Sequence, residues 1–232
     1  MEFTVDTPLG QIAAARPTSI AVFERLRLDY CCGGRQSLAE ACRHAGLAGE
    51  GVLEEILAAP AAALPGDQEG VDWTELSLVE FIDHIVATHH AYLHENLGPL
   101  VELAEKVARV HGERHGELAE VRDVFAKFAG DIGPHLRKEE LILFPSIARI
   151  EDRTAPFPIW QPIAVMEAEH DEAGRDLARL RELTSGYAVP EDACSSYRRL
   201  LEQLAEIERD TLTHVHKENN ILFPRALAAI DS

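Results

Sequence analysis

The sequence predicts an all-α protein: a small N-terminal helical domain followed by an antiparallel up-down-up-down four-helix bundle. Three observations support this prediction. After residue 73, four long segments repeat apolar residues at three- and four-residue spacing, which is typical of amphipathic helices. No segment shows the alternation of apolar and polar residues that indicates a β-strand. Short breaks join the four segments, and short connections favour antiparallel neighbours.

Residues 1–60 are predicted to form the small domain from short helices. Helices are expected to begin near Thr7 and near Thr18. Ser37 and Glu40 have the spacing of a capping box, in which each side chain binds the backbone N–H of the other residue. A further helix is therefore expected to begin after Ser37.

A sharp turn is predicted at residues 29–34, DYCCGG, because glycine permits backbone angles that are closed to other residues. This turn presents two adjacent thiols, Cys31 and Cys32, which are candidates for a redox or transfer role. The alternative is that the two thiols simply lie in a turn. Cys42 and Cys194 are expected to be inert.

A linker is predicted at residues 61–73, where Pro, Gly and Ala are frequent and helical periodicity is missing. The four-helix bundle is predicted for residues 74–232. Its two Phe-Pro pairs, at 144–145 and 223–224, are expected to kink the second and fourth helices, because proline removes a backbone hydrogen bond. The four helices are expected at 74–111, 117–150, 160–185 and 190–229.

The composition indicates a globular protein of a reducing compartment. Of the 232 residues, 46% are hydrophobic, which is enough for a sizeable core. A formal net charge of −18 disfavours nucleic acid and anionic membranes as partners. No apolar run approaches the roughly 20 residues that span a bilayer, and the cysteines show no disulfide framework. We therefore expect a cytoplasmic protein.

One sequence motif occurs twice. Residues 135–145, HLRKEELILFP, return as residues 214–224, HVHKENNILFP, and both copies contain His-x-x-x-Glu followed by Leu-Phe-Pro. Residues four apart on a helix differ by about 40° in azimuth, so the His and the Glu of each copy project from one face. His90 and His170 are separated by nearly the same period. Solvated helix faces have no need to repeat such groups, so the duplication favours a metal site.

The repeated residues are predicted to meet in the centre of the bundle and to bind two metal ions. Two carboxylates shared by metals about 3.5–4 Å apart act as bridges, which leaves two histidines per metal and at least one open coordination position. Imidazole and carboxylate ligands without thiolate suit iron or manganese, whereas zinc prefers four-coordination in structural sites. We favour two non-haem iron ions. The predicted ligands are His90, His135, Glu139, His170, His214 and Glu218.

The sequence leaves open the role of several polar residues near these ligands. Each either joins the site, as a ligand or as a hydrogen-bond partner of a ligand, or belongs to an ordinary helix surface. His216 lies about 200° around the helix from His214, so it is expected to face solvent or another element. The residues with an open role are His89, His94, Asp131, Glu167 and Glu169.

The duplicated bundle resembles the hemerythrin-like domain. Together with the DYCCGG turn it resembles the RIC family, the iron-sulfur cluster repair di-iron proteins (ScdA/YtfE/DnrN type) of bacterial nitrosative and oxidative stress responses. The segments that carry the resemblance span nearly the whole chain: PLGQIAAARP, DYCCGG, HHAYL, HLRKEELILFP, VMEAEHDEAG and HVHKENNILFPRAL. The resemblance implies the same six ligands, a carboxylate- and oxo-bridged di-iron centre, and an N-terminal ScdA-type domain in which Cys31 and Cys32 act with the centre or in transfer to a client.

The resemblance also implies a function, the repair of damaged iron-sulfur clusters by donation of iron. A second implied activity is reduction of nitric oxide to nitrous oxide, so it stays open whether the protein is an enzyme. A hemerythrin-like protein that binds or senses O2 or NO is a third alternative, and a zinc-bound structural bundle is a fourth. The implied partners are damaged iron-sulfur proteins, NO or O2 as small ligands, and an unidentified electron donor. A homodimer is compatible with the sequence.

Overall fold

A computed structural model describes residues 2–59, 73–150 and 158–230, and helices form nearly all the regular structure of these residues. Within these residues the extended pairing is limited to a single antiparallel bridge between Pro8 and Ser37. The predicted all-α class is confirmed. None of the described helices combines the length and the hydropathy needed to cross a bilayer.

The chain divides into two compact units. The first unit comprises Met1–Ile82 together with Thr213–Ser232, and the second unit comprises Asp83–Leu212. The predicted domains, 1–60 and 74–232, stay a prediction. The predicted linker at 61–73 lies outside the described residues except for Trp73.

The N-terminal part of the first unit consists of short helices, and the sequence signals at their starts explain them. The capping box is present, because the Ser37 hydroxyl accepts the backbone N–H of Glu40 at 3.2 Å and the Glu40 carboxylate accepts that of Ser37 at 3.2 Å. Pro8 and Thr18 lie at the starts of the first two helices. The four helices are α1 (Leu9–Ala15), α2 (Ser19–Leu26), α3 (Leu38–His44) and α4 (Gly49–Ala58).

Long helices with one apolar face form the bundle, as the periodicity predicts. In the second unit, buried side chains of these helices pack into one core that includes Leu97, Phe125, Phe128, Leu177 and Leu200. Each such side chain contributes about 1.5–3 kcal/mol by leaving water. The long helices are α6 (Ala91–His111), α7 (Glu117–Lys138), α9 (Trp160–Leu183) and α10 (Ser195–Lys217). Three shorter helices continue them, α5 (Leu78–Ile85), α8 (Phe144–Ala148) and α11 (Phe223–Ile230).

Within the described residues, three π-helical turns interrupt the helical segments. They are π1 (Val86–His90), π2 (Glu139–Leu143) and π3 (Glu218–Leu222). The second and third end immediately before the two Phe-Pro pairs, so the irregularity expected there takes the form of a widened turn that accommodates the proline ring. Each π turn begins or ends at a predicted metal ligand, and such turns are frequent at functional sites.

Candidate metal centre

Three histidines converge on one carboxylate in the second unit. The Nε2 atom of His135 lies 3.3 Å from Oε2 of Glu139, that of His90 lies 3.6 Å from the same oxygen, and that of His170 lies 3.8 Å from Oε1. All four side chains are buried. They come from three places along the chain: the end of π1, the junction of α7 with π2, and the middle of α9. Four of the six predicted ligands are therefore brought together here.

An outer layer of carboxylates contacts two of these imidazole rings at Nδ1, the nitrogen that does not face Glu139. Nδ1 of His90 lies 2.9 Å from Oε1 of Glu140, and Nδ1 of His135 lies 2.9 Å from Oε2 of Glu169. A ring that donates its Nδ1 proton outward directs the lone pair of Nε2 inward, which is the usual arrangement of metal-binding histidine. The ring of Phe144 stacks on His90 at 5.5 Å and fixes its plane further.

The charge of these outer carboxylates is stabilised by their partners. Burial works to raise the pKa of Glu140, but hydrogen bonds from His90 and His94 outweigh it, so the pKa lies below its ordinary value. Burial likewise works to raise the pKa of Glu169, but hydrogen bonds from Lys138 and His135 outweigh it, so this pKa also lies below its ordinary value. Both carboxyl groups therefore stay ionised and accept the imidazole protons at neutral pH.

Four of the five residues with an open role separate into two groups. Glu169 contacts a predicted ligand, and His94 contacts Glu140 through Nε2 at 3.1 Å. His89 is buried but directs Nδ1 to Asp210 at 2.7 Å. Asp131 pairs with Lys127 at 3.1 Å on the helix surface. His94 thus belongs to the outer layer, while the contacts of His89 and Asp131 point elsewhere.

The remaining two predicted ligands lie in the first unit. Nε2 of His214 and Oε1 of Glu218 are 2.9 Å apart, and both side chains are fully buried. His216 faces another element, as expected: its ring lies 5.5 Å from that of Tyr30, and its Nδ1 contacts Asn220 at 3.2 Å. Burial and then the charge of Lys217 lower the pKa of His216 to about 3, so this ring is neutral.

The donor atoms of the second unit fit a transition-metal ion. Two ligand atoms at right angles on a metal with bonds of about 2.1 Å lie about 3.0 Å apart, and the Nε2 atoms of His135 and His170 are 3.0 Å apart. His135, Glu139 and His170 offer ligand atoms that all lie within 4.8 Å of one another. Imidazole nitrogen and carboxylate oxygen are donors suited to iron, manganese or zinc. The residues present therefore fit the iron that the sequence predicts.

The predicted thiol turn is in the first unit, and its two sulfurs lie side by side. Cys31 is buried and Cys32 is half-buried, with their Sγ atoms 3.8 Å apart. Its hydrogen bond with Cys32, then burial, then the charges of Cys32 and Asp29 raise the pKa of the Cys31 thiol. Cys42 is buried and Cys194 is exposed.

Two protein families match the chain. The hemerythrin HHE cation-binding domain matches residues 82–226, and ScdA_N, a domain of unknown function, matches residues 5–60. Relatives of nearly the same length are named iron-sulfur cluster repair protein YtfE. The relative from Pectobacterium carotovorum subsp. carotovorum (strain PC1) is 39% identical over 229 residues, with 96% of this chain and 97% of the relative covered. With the same coverage, the relative from Escherichia coli O157:H7 is 36% identical over 223 residues and that from Salmonella paratyphi B is 37% identical over 224.

The chain belongs to the YtfE family of iron-sulfur cluster repair proteins. In this member of the YtfE family the hemerythrin match contains all six predicted ligands, and the ScdA_N match contains the thiol turn. The predicted family is confirmed. The sequence analysis did not identify Glu140 or Asn220. Asn220 departs from the repeat, since Leu141 occupies the matching position of the first copy, and this departure is a signal that could have found it.

Glu140→Ala is expected to weaken metal binding by about 10–100-fold, because partners that orient a ligand contribute to affinity by this amount. Glu140 holds the imidazole of His90 and also contacts His94. Titrating the metal-free protein with Fe²⁺ under anaerobic conditions measures the effect. Glu95→Ala, which removes an exposed carboxylate of the same helix as His94, should leave the affinity unchanged. Equal affinities in both variants would contradict the role of Glu140.

Proposed function

We propose that this protein repairs damaged iron-sulfur clusters by donating iron from a non-haem di-iron centre. The observation that carries the proposal is the buried convergence of His90, His135 and His170 on Glu139. It occurs in a chain whose relatives, matched over nearly their full length, are named as iron-sulfur cluster repair proteins. The six residues of the proposed centre are His90, His135, Glu139, His170, His214 and Glu218.

Support for two irons comes from the repeat and from the contacts of Glu139. Each copy of the repeat supplies one His-x-x-x-Glu, and two carboxylates are the number needed to bridge two metals. The two oxygens of Glu139 also face different histidines, Oε2 facing His90 and His135 and Oε1 facing His170. Bound iron would supply exchangeable ferrous ion and an open position for a small ligand such as NO or O2.

The ligand chemistry favours exchangeable iron. Histidines must lose their protons to bind a metal, so protonation and binding compete, and the donor set of the second unit contains no thiolate to hold iron more tightly. A cavity of about 390 Å³ borders His135. Its lining includes Asp131, Glu169, Glu172 and Asp176, whose carboxylates pair with Lys127 or Lys138.

The thiol turn is the second part of the proposal. Cys31 and Cys32 would receive iron, exchange with a disulfide of the client, or supply electrons, and the free state of all four cysteines suits the reducing cytoplasm in which we place this activity. The partners are damaged iron-sulfur proteins and an electron donor that keeps the iron ferrous. The names of the relatives favour repair over nitric oxide reduction and over oxygen carriage.

Protein purified without oxygen is expected to contain about two irons per chain and to restore the cluster of an iron-sulfur protein from which iron has been removed. The measurement is iron content by elemental analysis, followed by recovery of the client's activity and visible spectrum with this protein as the only iron source. Cys31→Ala combined with Cys32→Ala should keep the iron and lose most of the repair, whereas Cys194→Ala should keep both. Bound zinc in place of iron, or iron without any repair, would contradict the proposal.

A further inference from the structure

The thiol turn brings three potential metal ligands together outside the His and Glu centre. Sγ of Cys31 lies 3.3 Å from Oδ1 of Asp29 and 3.8 Å from Sγ of Cys32. Ligand atoms of these three residues all lie within 4.8 Å of one another. Side chains of adjacent residues ordinarily diverge along the backbone, so the convergence of two neighbouring thiols needs a special turn.

The separations match those of ligands on one tetrahedral ion. Metal–sulfur bonds of about 2.3 Å at the tetrahedral angle place two sulfurs about 3.8 Å apart, which is also the separation of the two Sγ atoms. A sulfur and a carboxylate oxygen on the same tetrahedral ion lie about 3.5–3.7 Å apart, and Sγ of Cys31 is 3.3 Å from Oδ1 of Asp29. The three potential ligands therefore need to move by only a few tenths of an ångström along the measured separations to hold one ion.

The backbone around these ligands is held in place from several sides. Oδ1 of Asp29 accepts the backbone N–H of Cys32 at 2.9 Å, which fixes the carboxylate beside both thiols. A Cβ on Gly33 would lie 2.8 Å from the backbone oxygen of Asp29. Only glycine therefore allows residues 29 and 33 to approach each other so closely in this turn. Nδ2 of Asn220 donates to the carbonyls of Tyr30 at 3.1 Å and Cys31 at 2.9 Å. Such preorganisation lowers the cost of binding an ion.

The ligand set also indicates which ion and what kind of site. Thiolates select thiophilic ions such as Zn²⁺ and Fe²⁺ over Mg²⁺ and Ca²⁺, and the accumulation of potential negative charge at Asp29, Cys31 and Cys32 favours a divalent cation. Asp29 is exposed, Cys32 is half-buried and Cys31 is buried, so the ligand set borders solvent on one side. Structural zinc sites have four protein ligands, whereas three ligands and an open position allow exchange.

We propose that Asp29, Cys31 and Cys32 form a second metal site, which binds one thiophilic divalent cation in exchangeable form. The site is chemically distinct from the His and Glu centre, because it contributes two sulfur ligands. Binding releases the thiol protons to solvent and involves no change of oxidation state. The proposal holds whether or not the protein donates iron to clients.

Cobalt is the probe for this site, because Co²⁺ bound by thiolate absorbs in the near ultraviolet through sulfur-to-metal charge transfer, and nitrogen and oxygen ligands do not produce this band. The reduced full-length protein, with its iron centre loaded, is titrated with Co²⁺ without oxygen. The band should grow and saturate at one Co²⁺ per chain. It should be absent in Cys31→Ser combined with Cys32→Ser and unchanged in Cys194→Ser, a matched loss of an exposed thiol.

Asp29→Asn tests the carboxylate and should weaken Co²⁺ binding by at least about 10-fold while the band persists. Cys32→Ser alone guards against misfolding of the double variant, since Cys32 is only half-buried. It should lose about half of the band or more, because one of the two thiolates is removed, while keeping the helical circular dichroism and the iron of the wild type. Absence of the band in the wild type, or its persistence in the double variant, would overturn the proposal. Unchanged affinity in Asp29→Asn would remove Asp29 from the site.

Discussion

Glu139→Ala is expected to abolish most metal binding, with a loss of affinity above about 100-fold, since even partners that only orient ligands contribute 10–100-fold. The reason is the position of this carboxylate: its two oxygens lie 3.3 to 3.8 Å from the Nε2 atoms of His90, His135 and His170. Iron content per chain after anaerobic loading measures the loss.

A second variant distinguishes loss of a ligand from loss of the fold. Glu139→Gln keeps the shape of the side chain but removes a buried charge, whose desolvation is costly when no metal compensates it. Without metal this variant should therefore unfold at the same temperature as the metal-free wild type or at a higher one. With metal, the wild type should gain stability that the variant lacks. Glu102→Ala, at an exposed position of α6, serves as the control and should bind iron normally.

Retention of iron in Glu139→Ala would contradict the assignment of this carboxylate as a shared ligand. Loss of iron together with a collapse of helical structure would instead indicate a role in folding. The two outcomes are separated by recording circular dichroism on the samples used for iron analysis.

The predicted ligands followed from duplication, and what the sequence could not predict lies where the two copies differ. Glu140, which holds His90, corresponds to Asn219 in the second copy. Glu169, which binds His135, directly precedes His170, and the matching position before His90 is His89. A period cannot reveal groups that occur in one copy only. Three-dimensional contacts were therefore needed to find Glu140 and to assign a role to Glu169, which the sequence left open.

Differences between the two copies also provide the residues that contact the thiol turn. Arg137 and Leu141 of the first copy are replaced by His216 and Asn220 in the second, and these two pack on Tyr30 or bind its carbonyl. Leu141 is 74% exposed, whereas its counterpart Asn220 binds the carbonyls of Tyr30 and Cys31.

The two repeat lysines differ in the same way. Lys138 pairs with Glu169, whereas Lys217 is fully buried with its Nζ 4.3 Å from the centre of the Trp73 ring. The two lysines are identical in the repeat but make different contacts, so agreement between the copies predicts the ligands without predicting every contact.

Gly10→Ala is expected to destabilise the protein by about 1–3 kcal/mol, the usual cost of forcing an extra carbon into a packed region. Gly10 lies in α1, and a Cβ there would come within 2.2 Å of Oδ1 and 2.5 Å of Cγ of Asn220. Asn220 cannot simply rotate away, because its Nδ2 is bound to the carbonyls of Tyr30 and Cys31. The substitution therefore breaks hydrogen bonds as well as packing, and urea unfolding of the iron-loaded protein measures the sum.

Gly51→Ala is the matched control, with an expected change of the opposite sign. Gly51 lies in α4, it is exposed, and nothing lies within 4 Å of the Cβ that alanine would add. Alanine there should stabilise the protein by about 0.5–1 kcal/mol, because it restricts the unfolded chain and favours the helix. Two changes of identical chemistry should thus move the unfolding midpoint in opposite directions.

Asn220→Ala should relieve the clash, which makes the effects of the two substitutions non-additive. Alanine at 220 keeps only the Cβ, 3.0 Å from the added carbon at residue 10, so a shift of a few tenths of an ångström suffices. The double variant should be more stable than the sum of the single changes predicts, by about 1 kcal/mol or more, the size of coupling expected between residues in contact. Additive effects, or a Gly10→Ala variant as stable as Gly51→Ala, would mean that Asn220 does not pack against α1.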